Sequence, residues 1–109
     1  MTPEKILNFW LDEIDSKQWY KSSKKLDATI LKQFYSVWVS IMDGKCGMWL
    51  TFPSGSLAYI LVLDQFSRNM FRGSPKAFSS DYVALSAAKQ AIKHKYDLAI
   101  DAVSYTHLR

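Results

Sequence analysis

The sequence predicts an all-α fold, and three observations support this prediction. Apolar residues recur at intervals of three and four along most of the 109-residue chain, which is the spacing of amphipathic helices. Helix-capping residues stand where these segments begin and end, and no segment keeps the alternation of a β-strand. We expect four main helices near residues 3–13, 24–43, 53–71 and 80–96, and the start of a fifth near residues 98–103.

The first helix is indicated by the residues that open it. Thr2 can cap the helix with its hydroxyl, Pro3 suits the first helical position, and Glu4 complements the positive end of the helix dipole. One broad apolar side follows, made of Ile6, Leu7, Phe9 and Trp10. Residues 15–23 are polar and are expected to form a loop.

The second helix has the clearest pattern. Ser22 or Ser23 can cap its start, and Asp43 followed by Gly44 is a typical end, because glycine readily adopts the left-handed conformation. Its apolar stripe comprises Leu26, Ile30, Phe34, Val37, Trp38 and Ile41. This stripe predicts one buried face.

The third helix is apolar on nearly all sides. Pro53 opens it, Thr51 is the expected cap, and Gly73 and Pro75 stop it. A helix that is apolar all round is normally surrounded by other helices. We therefore expect it at the centre of the domain, with antiparallel helix pairs because the connecting loops are short.

The fourth helix begins near Ser80 and Asp81 and should end near Tyr96. Its stripe consists mostly of small residues, namely Ala84, Ala87, Ala88, Ala91 and Ile92. Small side chains let another helix approach closely, whereas Lys89 and Lys93 are expected to face water.

Composition restricts the classes of function. The chain is 49% hydrophobic and 22% charged, as in globular proteins, and its net charge is +4. The lysines do not form the dense basic stripe of a nucleic-acid-binding protein, and the longest apolar run, residues 57–63, is far too short to span a membrane. We therefore expect neither nucleic acid nor a membrane as a partner.

The single cysteine, Cys46, makes an intramolecular disulfide impossible and favours a reducing, cytoplasmic location. No histidine base lies near Cys46 in the sequence, so we interpret it as a loop residue rather than a nucleophile. No cluster has metal-ligand spacing, and we expect no metal and no cofactor. The tryptophans are interpreted as core residues, and His94 as a solvated side chain.

A strip of polar side chains follows the apolar run of the third helix. Asp64, Arg68 and Arg72 are spaced four residues apart, and Gln65 and Asn69 lie one position further on. Residues at this spacing share one side of a helix. We call these five residues the polar strip. Charged and amide groups beside core-forming residues need partners or a ligand, so the strip is the candidate ligand-binding site.

Two interpretations of the polar strip stay open. In the first, its two arginines bind an anionic ligand, its two amides orient that ligand, and Asp64 holds Arg68 in place. In the second, Asp64 pairs with Arg68 and the amides bond loop carbonyls near Gly73, so that the strip joins helices without a ligand. Both interpretations require Asp64 and Arg68 to be within hydrogen-bonding distance, and both place the pair at least partly beneath the Gly73 loop.

Several segments resemble the bacterial domain-of-unknown-function family 924. The similar segments are Ile6-Leu7-Asn8-Phe9-Trp10, Trp19-Tyr20, Leu57-Ala58, residues 63–73, Ala77-Phe78 and Asp81. The resemblance covers about residues 2–101, and residues 64–73 are its most specific part. It implies an all-helical fold related to tetratricopeptide-repeat domains, with the helices in a right-handed array, although the repeat pattern itself is absent. It implies no established activity.

Two departures from the family affect the domain boundary. Members of the family continue for roughly as long again, with a Pro…His-Ser-Glu segment that has no counterpart here. Residues 104–109 look similar to a translated sequencing adapter, although a divergent natural terminus is the alternative. We therefore expect residues 1–103 to be the N-terminal part of one domain and residues 104–109 to be a non-native tail. The third and fourth helices should then carry uncovered apolar surface, which makes the chain weakly stable or self-associating.

The leading functional hypothesis is a module of the helical-repeat type that binds a protein or peptide. The alternative is an enzyme or a binder of a small anionic ligand, centred on the polar strip from Asp64 to Arg72. A closed network of paired side chains would favour the first hypothesis. An open pocket with unpaired arginine donors would favour the second. Catalytic residues are unknown on either hypothesis.

Overall fold

The computed structural model describes residues 1–14 and 23–95, and these residues form helices joined by short turns. The α-helices are α1 (Pro3–Leu7), α2 (Lys24–Met42), α3 (Pro53–Leu61), α4 (Ser67–Met70) and α5 (Asp81–Lys93). Two π-helical segments lie at Asn8–Glu13 and Val62–Phe66, and two short 3₁₀-helices lie at Gly47–Thr51 and Pro75–Phe78. These residues contain no strand, which confirms the all-α class. The right-handed, tetratricopeptide-like array stays a prediction.

The boundaries agree closely with the sequence, with one correction. The predicted first helix is α1 with its π-helical continuation, and the predicted third helix is α3, the second π-helical segment and α4 in one unbroken run. The fourth helix ends at Lys93 rather than near Tyr96, because Lys95 adopts a left-handed conformation with φ of 61°. The predicted fifth helix, the loop at residues 15–22 and the proposed tail lie outside the described residues.

The predicted caps of the first two helices are present. Thr2 Oγ1 accepts a hydrogen bond from the amide of Lys5 at 3.3 Å, and Ser23 Oγ accepts one from the amide of Leu26 at 3.2 Å. α2 ends at Met42, and Gly44, two residues further on, has the left-handed φ of 80°. Local chemistry therefore sets these boundaries, as it does in isolated helices.

The start of α3 does not follow the predicted capping. Phe52, not Thr51, holds the cap position and makes no side-chain bond there, and the Thr51 hydroxyl donates to the carbonyl of Met48 at 2.6 Å. A close approach of the preceding 3₁₀-helix orients this end instead. Gly55 is buried against the carbonyl of Trp49, and a Cβ at this position would also lie 2.7 Å from the Phe52 ring.

The run from α3 to α4 lies at the centre of the fold, as predicted. α3 packs against α1 and α5, and α4 packs against α2. The ring of Phe66 meets Phe34 at 4.8 Å, Trp10 at 5.5 Å and Phe9 at 6.0 Å between centroids. The buried residues of α2 are Leu26, Ile30, Phe34, Val37, Trp38 and Ile41, which is the predicted stripe.

The second π-helical segment frees a carbonyl in the core. The amide of Ser67 bonds the carbonyl of Val62, five residues back. The Leu63 carbonyl instead accepts hydroxyl bonds from Ser67 at 2.7 Å and from Ser80 at 2.6 Å. Ser80 Oγ also accepts the indole N–H of Trp38 at 3.3 Å. One buried chain of hydrogen bonds thus ties α2 and the start of α5 to the central helix.

Candidate functional site

The structure divides the polar strip between two neighbours. Asp64 and Arg68 face α5, whereas Asn69 and Arg72 face α2. Gln65 bridges along the helix, because its Nε2 donates to Asn69 Oδ1 at 3.1 Å. Arg68 and Asn69 are adjacent in α4 and therefore point about 100° apart around the helix, and Arg72 lies beyond the end of α4 at Met70. The five side chains therefore do not converge on one point.

Arg72 is clamped by a carboxylate of α2. Its Nε donates to Asp27 Oδ2 at 2.6 Å, and its Nη2 donates to Asp27 Oδ1 at 3.2 Å. Asn69, which is buried, donates to Asp27 Oδ1 at 2.9 Å. A bidentate guanidinium–carboxylate pair is a strong and orientation-specific contact. Arg72 therefore already holds an anion, and that anion belongs to the protein.

The electrostatics of Asp27 follow from these contacts. Burial alone would raise the pKa of Asp27, but the hydrogen bonds from Arg72 and Asn69 and the charge of Arg72 outweigh it, so the pKa lies below its usual value. The hydrogen bond to Asp27 raises the pKa of Arg72 in turn. The pair is thus ionised at neutral pH.

Arg68 is paired with two carboxylates. Its Nη1 donates to Asp64, both to the carboxylate and, at 2.8 Å, to the backbone carbonyl. Its Nη2 donates to Asp81 Oδ2 at 3.3 Å. The guanidinium carbon also lies 5.2 Å from the centroid of the Phe78 ring. Two negative charges therefore surround one positive charge, which disfavours a further anion at this position.

The predicted pairing of Asp64 with Arg68 is confirmed, but its predicted burial is wrong for the acid. The Asp64 side chain is 55% exposed, because it projects from the outer side of the π-helical segment. The predicted role of Asn69 in bonding loop carbonyls is also wrong, since its amide N–H donates to Asp27 instead.

Asp27, Asp81 and Phe78 are the partners that sequence reasoning missed. Asp27 and Asp81 stand in the first turns of α2 and α5, where an acidic residue is already explained by the helix dipole. Asp27 lies 45 residues from Arg72 in sequence. No local signal joins residues so far apart.

Two depressions border the divided strip. The first has a volume of about 350 Å³, and its lining residues are Ile60, Asp64, Arg68, Asp81, Ala84, Leu85 and Ala88. We call it the α3–α5 groove. The second, about 210 Å³, is lined by Asp27, Asn69 and Arg72 among others. A third depression of about 420 Å³ lies between α1 and α2 and contains no residue of the strip.

The outward side of α5 carries large apolar side chains in water. Phe78, just before the helix, is 59% exposed, and the values for Tyr82, Leu85 and Ile92 are 71%, 57% and 61%. We call these four residues the α5 face. The inward side is formed by the small residues Ala84, Ala87 and Ala91. The prediction that Ile92 belongs to the buried stripe is wrong. Exposed apolar surface is present on the fourth predicted helix, as expected, but the third predicted helix carries no exposed large apolar side chain, so the expectation is wrong for that helix.

Other candidate chemistry is weak in the described part of the chain. Burial raises the pKa of the Cys46 thiol, which is the opposite of what a nucleophilic thiolate needs. Residues 1–14 and 23–95 contain no group of three His, Cys, Asp or Glu side chains that could hold a metal ion. None of the helices in these ranges has the length and apolar character needed to cross a membrane.

Comparisons with known proteins place the chain in a family. A solved structure of a protein of unknown function from Agrobacterium tumefaciens is similar, with 29% sequence identity and a TM-score of 0.85. The similarity covers 89% of this chain and 55% of that chain, so this chain spans about half the length of the solved relative. Among curated proteins, no sequence matches. Residues 6–108 match the family described as bacterial protein of unknown function, DUF924, and the chain belongs to this family.

Proposed function

We propose that this chain is a helical interaction module that binds an amphipathic helix of a partner protein along the α5 face and the α3–α5 groove. The observation that supports it most is the exposure of Tyr82, Leu85 and Ile92, each more than half in water. Monomeric soluble proteins rarely leave large apolar side chains grouped in this way without a partner. The lone cysteine, Cys46, fits a cytoplasmic setting for this role.

The shape of this surface suits a helix. Tyr82, Leu85 and Ile92 occupy one side of α5 at helical spacing, and Ala84 and Ala88 in the groove allow close approach. A partner helix with apolar residues at intervals of three and four would bury this stripe.

The charges define the partner further. Lys89 and Lys93 are exposed on α5, Lys89 within the apolar stripe, between Leu85 and Ile92 along the helix, and Lys93 at its edge. A partner helix with acidic residues along one edge would complement them. A second copy of the chain would instead tend to bring like charges together, which costs binding free energy.

The anionic-ligand alternative is not favoured by the geometry. Both arginines of the polar strip donate to carboxylates of the chain itself, namely those of Asp27, Asp64 and Asp81. An added anion would have to displace these carboxylates. The network therefore supports an architectural role for the strip, which orients α2, α4 and α5.

The test uses a synthetic amphipathic peptide with leucines at intervals of three and four and glutamates along one edge. Fluorescence polarisation should show saturable binding to the wild-type chain. Leu85→Asp and Ile92→Asp should each weaken binding by about tenfold or more, because each places a charge in the apolar contact. Leu31→Asp is the matched control, since Leu31 is 42% exposed on α2, away from the face, and should bind like wild type. A peptide with lysines in place of the glutamates should bind less tightly.

Four results would overturn the proposal. One is the absence of saturable binding, and another is equal binding to Leu85→Asp. The other two concern other occupants of the face. Self-association that the same variants abolish would assign the face to a second copy of the chain. Binding to this chain but not to the longer Agrobacterium relative would show that additional chain length fills the face within one molecule.

A further inference from the structure

Three aromatic rings surround the ammonium group of Lys76. Lys76 Nζ lies 4.8 Å from the ring centroid of Phe71, 5.3 Å from that of Trp38 and 5.5 Å from that of Tyr35. Each distance lies within the range in which the negative face of a ring attracts a cation. The contact is thus made by three rings at once.

The three rings also pack against one another. The rings of Trp38 and Phe71 lie 5.0 Å apart at 70°, and those of Tyr35 and Phe71 lie 6.1 Å apart at 83°. Trp38 is only 7% exposed, and its indole N–H is fixed by the hydrogen bond to Ser80. Tyr35 is 40% exposed and forms the open side. Two rings are thus anchored in the fold and one is accessible.

Lys76 has no carboxylate partner among residues 1–14 and 23–95; the carboxylates nearest the polar strip pair with Arg68 and Arg72 instead. It lies in the short 3₁₀-helix Pro75–Phe78 and is exposed. The ammonium is therefore held by the rings and by water. A site of this kind does not require a lysine, since any cation of suitable size satisfies it.

We propose that Tyr35, Trp38 and Phe71 form a binding site for quaternary ammonium groups, which Lys76 of the same chain occupies in this structure. A trimethylammonium group fits such a site better than a primary ammonium, because its methyl groups contact the rings and it loses less hydration. Lys76 competes as a tethered ligand, and tethering raises its effective concentration. The site thus opens to an external ligand when Lys76 withdraws.

The test uses choline as the probe and 3,3-dimethylbutan-1-ol as its neutral isostere, with the indole N–H signal of Trp38 followed by NMR. Lys76→Ala should bind choline saturably and about tenfold more tightly than wild type, because the tethered competitor is gone. The neutral isostere should bind far more weakly to the same variant. Lys32→Ala is the control. It removes an exposed lysine of α2 and should behave like wild type.

Wild-type protein supplies an independent measurement if the variant is poorly folded. Ring currents should shift the ε-methylene protons of Lys76 upfield of those of Lys32, and choline should reverse that shift. Adding Tyr35→Ala to Lys76→Ala should abolish choline binding. The proposal is wrong if choline and its isostere bind equally, if Lys76→Ala shows no choline binding, if the double variant still binds it, or if the Lys76 protons are unshifted in wild type.

Discussion

Asp27 is the side chain on which the polar contacts between α2 and α4 depend. It accepts from both Arg72 and Asn69. Asn69 is buried, so removal of its acceptor leaves a donor without a partner in the core. One acidic residue thus supports two members of the polar strip.

We expect Asp27→Asn to lower the free energy of unfolding by about 1 kcal/mol at neutral pH. The expected change is small because Arg72 is partly exposed, and water screens its attraction to Asp27. The folded-state pKa of Asp27 lies below its unfolded value. Its stabilisation is therefore present above the unfolded pKa, about 3.9, and is lost as the pH falls through the folded pKa. Urea melts at neutral pH and at about pH 3 should show that the free energy of unfolding changes less with pH in Asp27→Asn than in wild type.

Asp43→Asn is the control for this experiment, because Asp43 is an exposed carboxylate at the end of α2. It should leave both the stability and its pH dependence nearly unchanged. Equal acid sensitivity of wild type and Asp27→Asn would contradict the contribution assigned to Asp27.

Ser67 connects the second π-helical segment to the 3₁₀-helix at Pro75–Phe78. Its buried hydroxyl lies 2.7 Å from the Leu63 carbonyl and 3.0 Å from the carbonyls of Asp64 and Ala77, and its single proton bonds one of them at a time. Ser67→Ala should lower the free energy of unfolding by about 1–2 kcal/mol, because the buried carbonyls that share this donor lose it. Ser79→Ala, which removes an exposed hydroxyl bond to Lys76, should cost less in the same denaturant melts.

The packing of the first 3₁₀-helix against α3 requires glycine at position 55. A Cβ there would press on the Trp49 carbonyl and the Phe52 ring. Gly55→Ala should lower the free energy of unfolding by about 1–3 kcal/mol, the usual range for overpacking. Gly47→Ala provides the comparison, because nothing lies within 4 Å of a Cβ at that position. Thermal melts that show similar changes for both variants would contradict this packing.

The largest group of exposed apolar side chains in the described residues lies on the outward side of α5, whereas the inward side of α5 is buried. We expect native protein to bind a hydrophobic dye, and we expect Leu85→Lys combined with Ile92→Lys to remove most of that fluorescence. The double variant should change the free energy of unfolding by about 0.5 kcal/mol or less, because exposed side chains contribute little to folding. Leu31→Lys should retain the dye signal. Loss of folding in the double variant would show instead that the α5 face is part of the core.

The positions of the helices and the residues of the central core could be predicted from the sequence, because they depend on local chemistry. The caps at Thr2 and Ser23 act over three residues, and the stripe from Leu26 to Ile41 repeats every three or four, so both can be read in sequence order. The Asp64–Arg68 pair was predictable for the same reason, since it spans one helical turn. The family followed from the long motif at residues 64–73.

The tertiary structure alone decided which carboxylates of other helices pair with Arg68 and Arg72. Arg72 meets Asp27 and Arg68 meets Asp81 only after α2 and α5 have packed on the central helix. No spacing rule reaches across 45 residues, and several acidic residues in the chain offer the same charge. The sequence by itself determined the helices, the core and the family. Tertiary packing alone decided that Arg72 is neutralised by Asp27, that Arg68 gains Asp81 as a second partner and that the apolar side of α5 faces water, because each depends on which helices become neighbours.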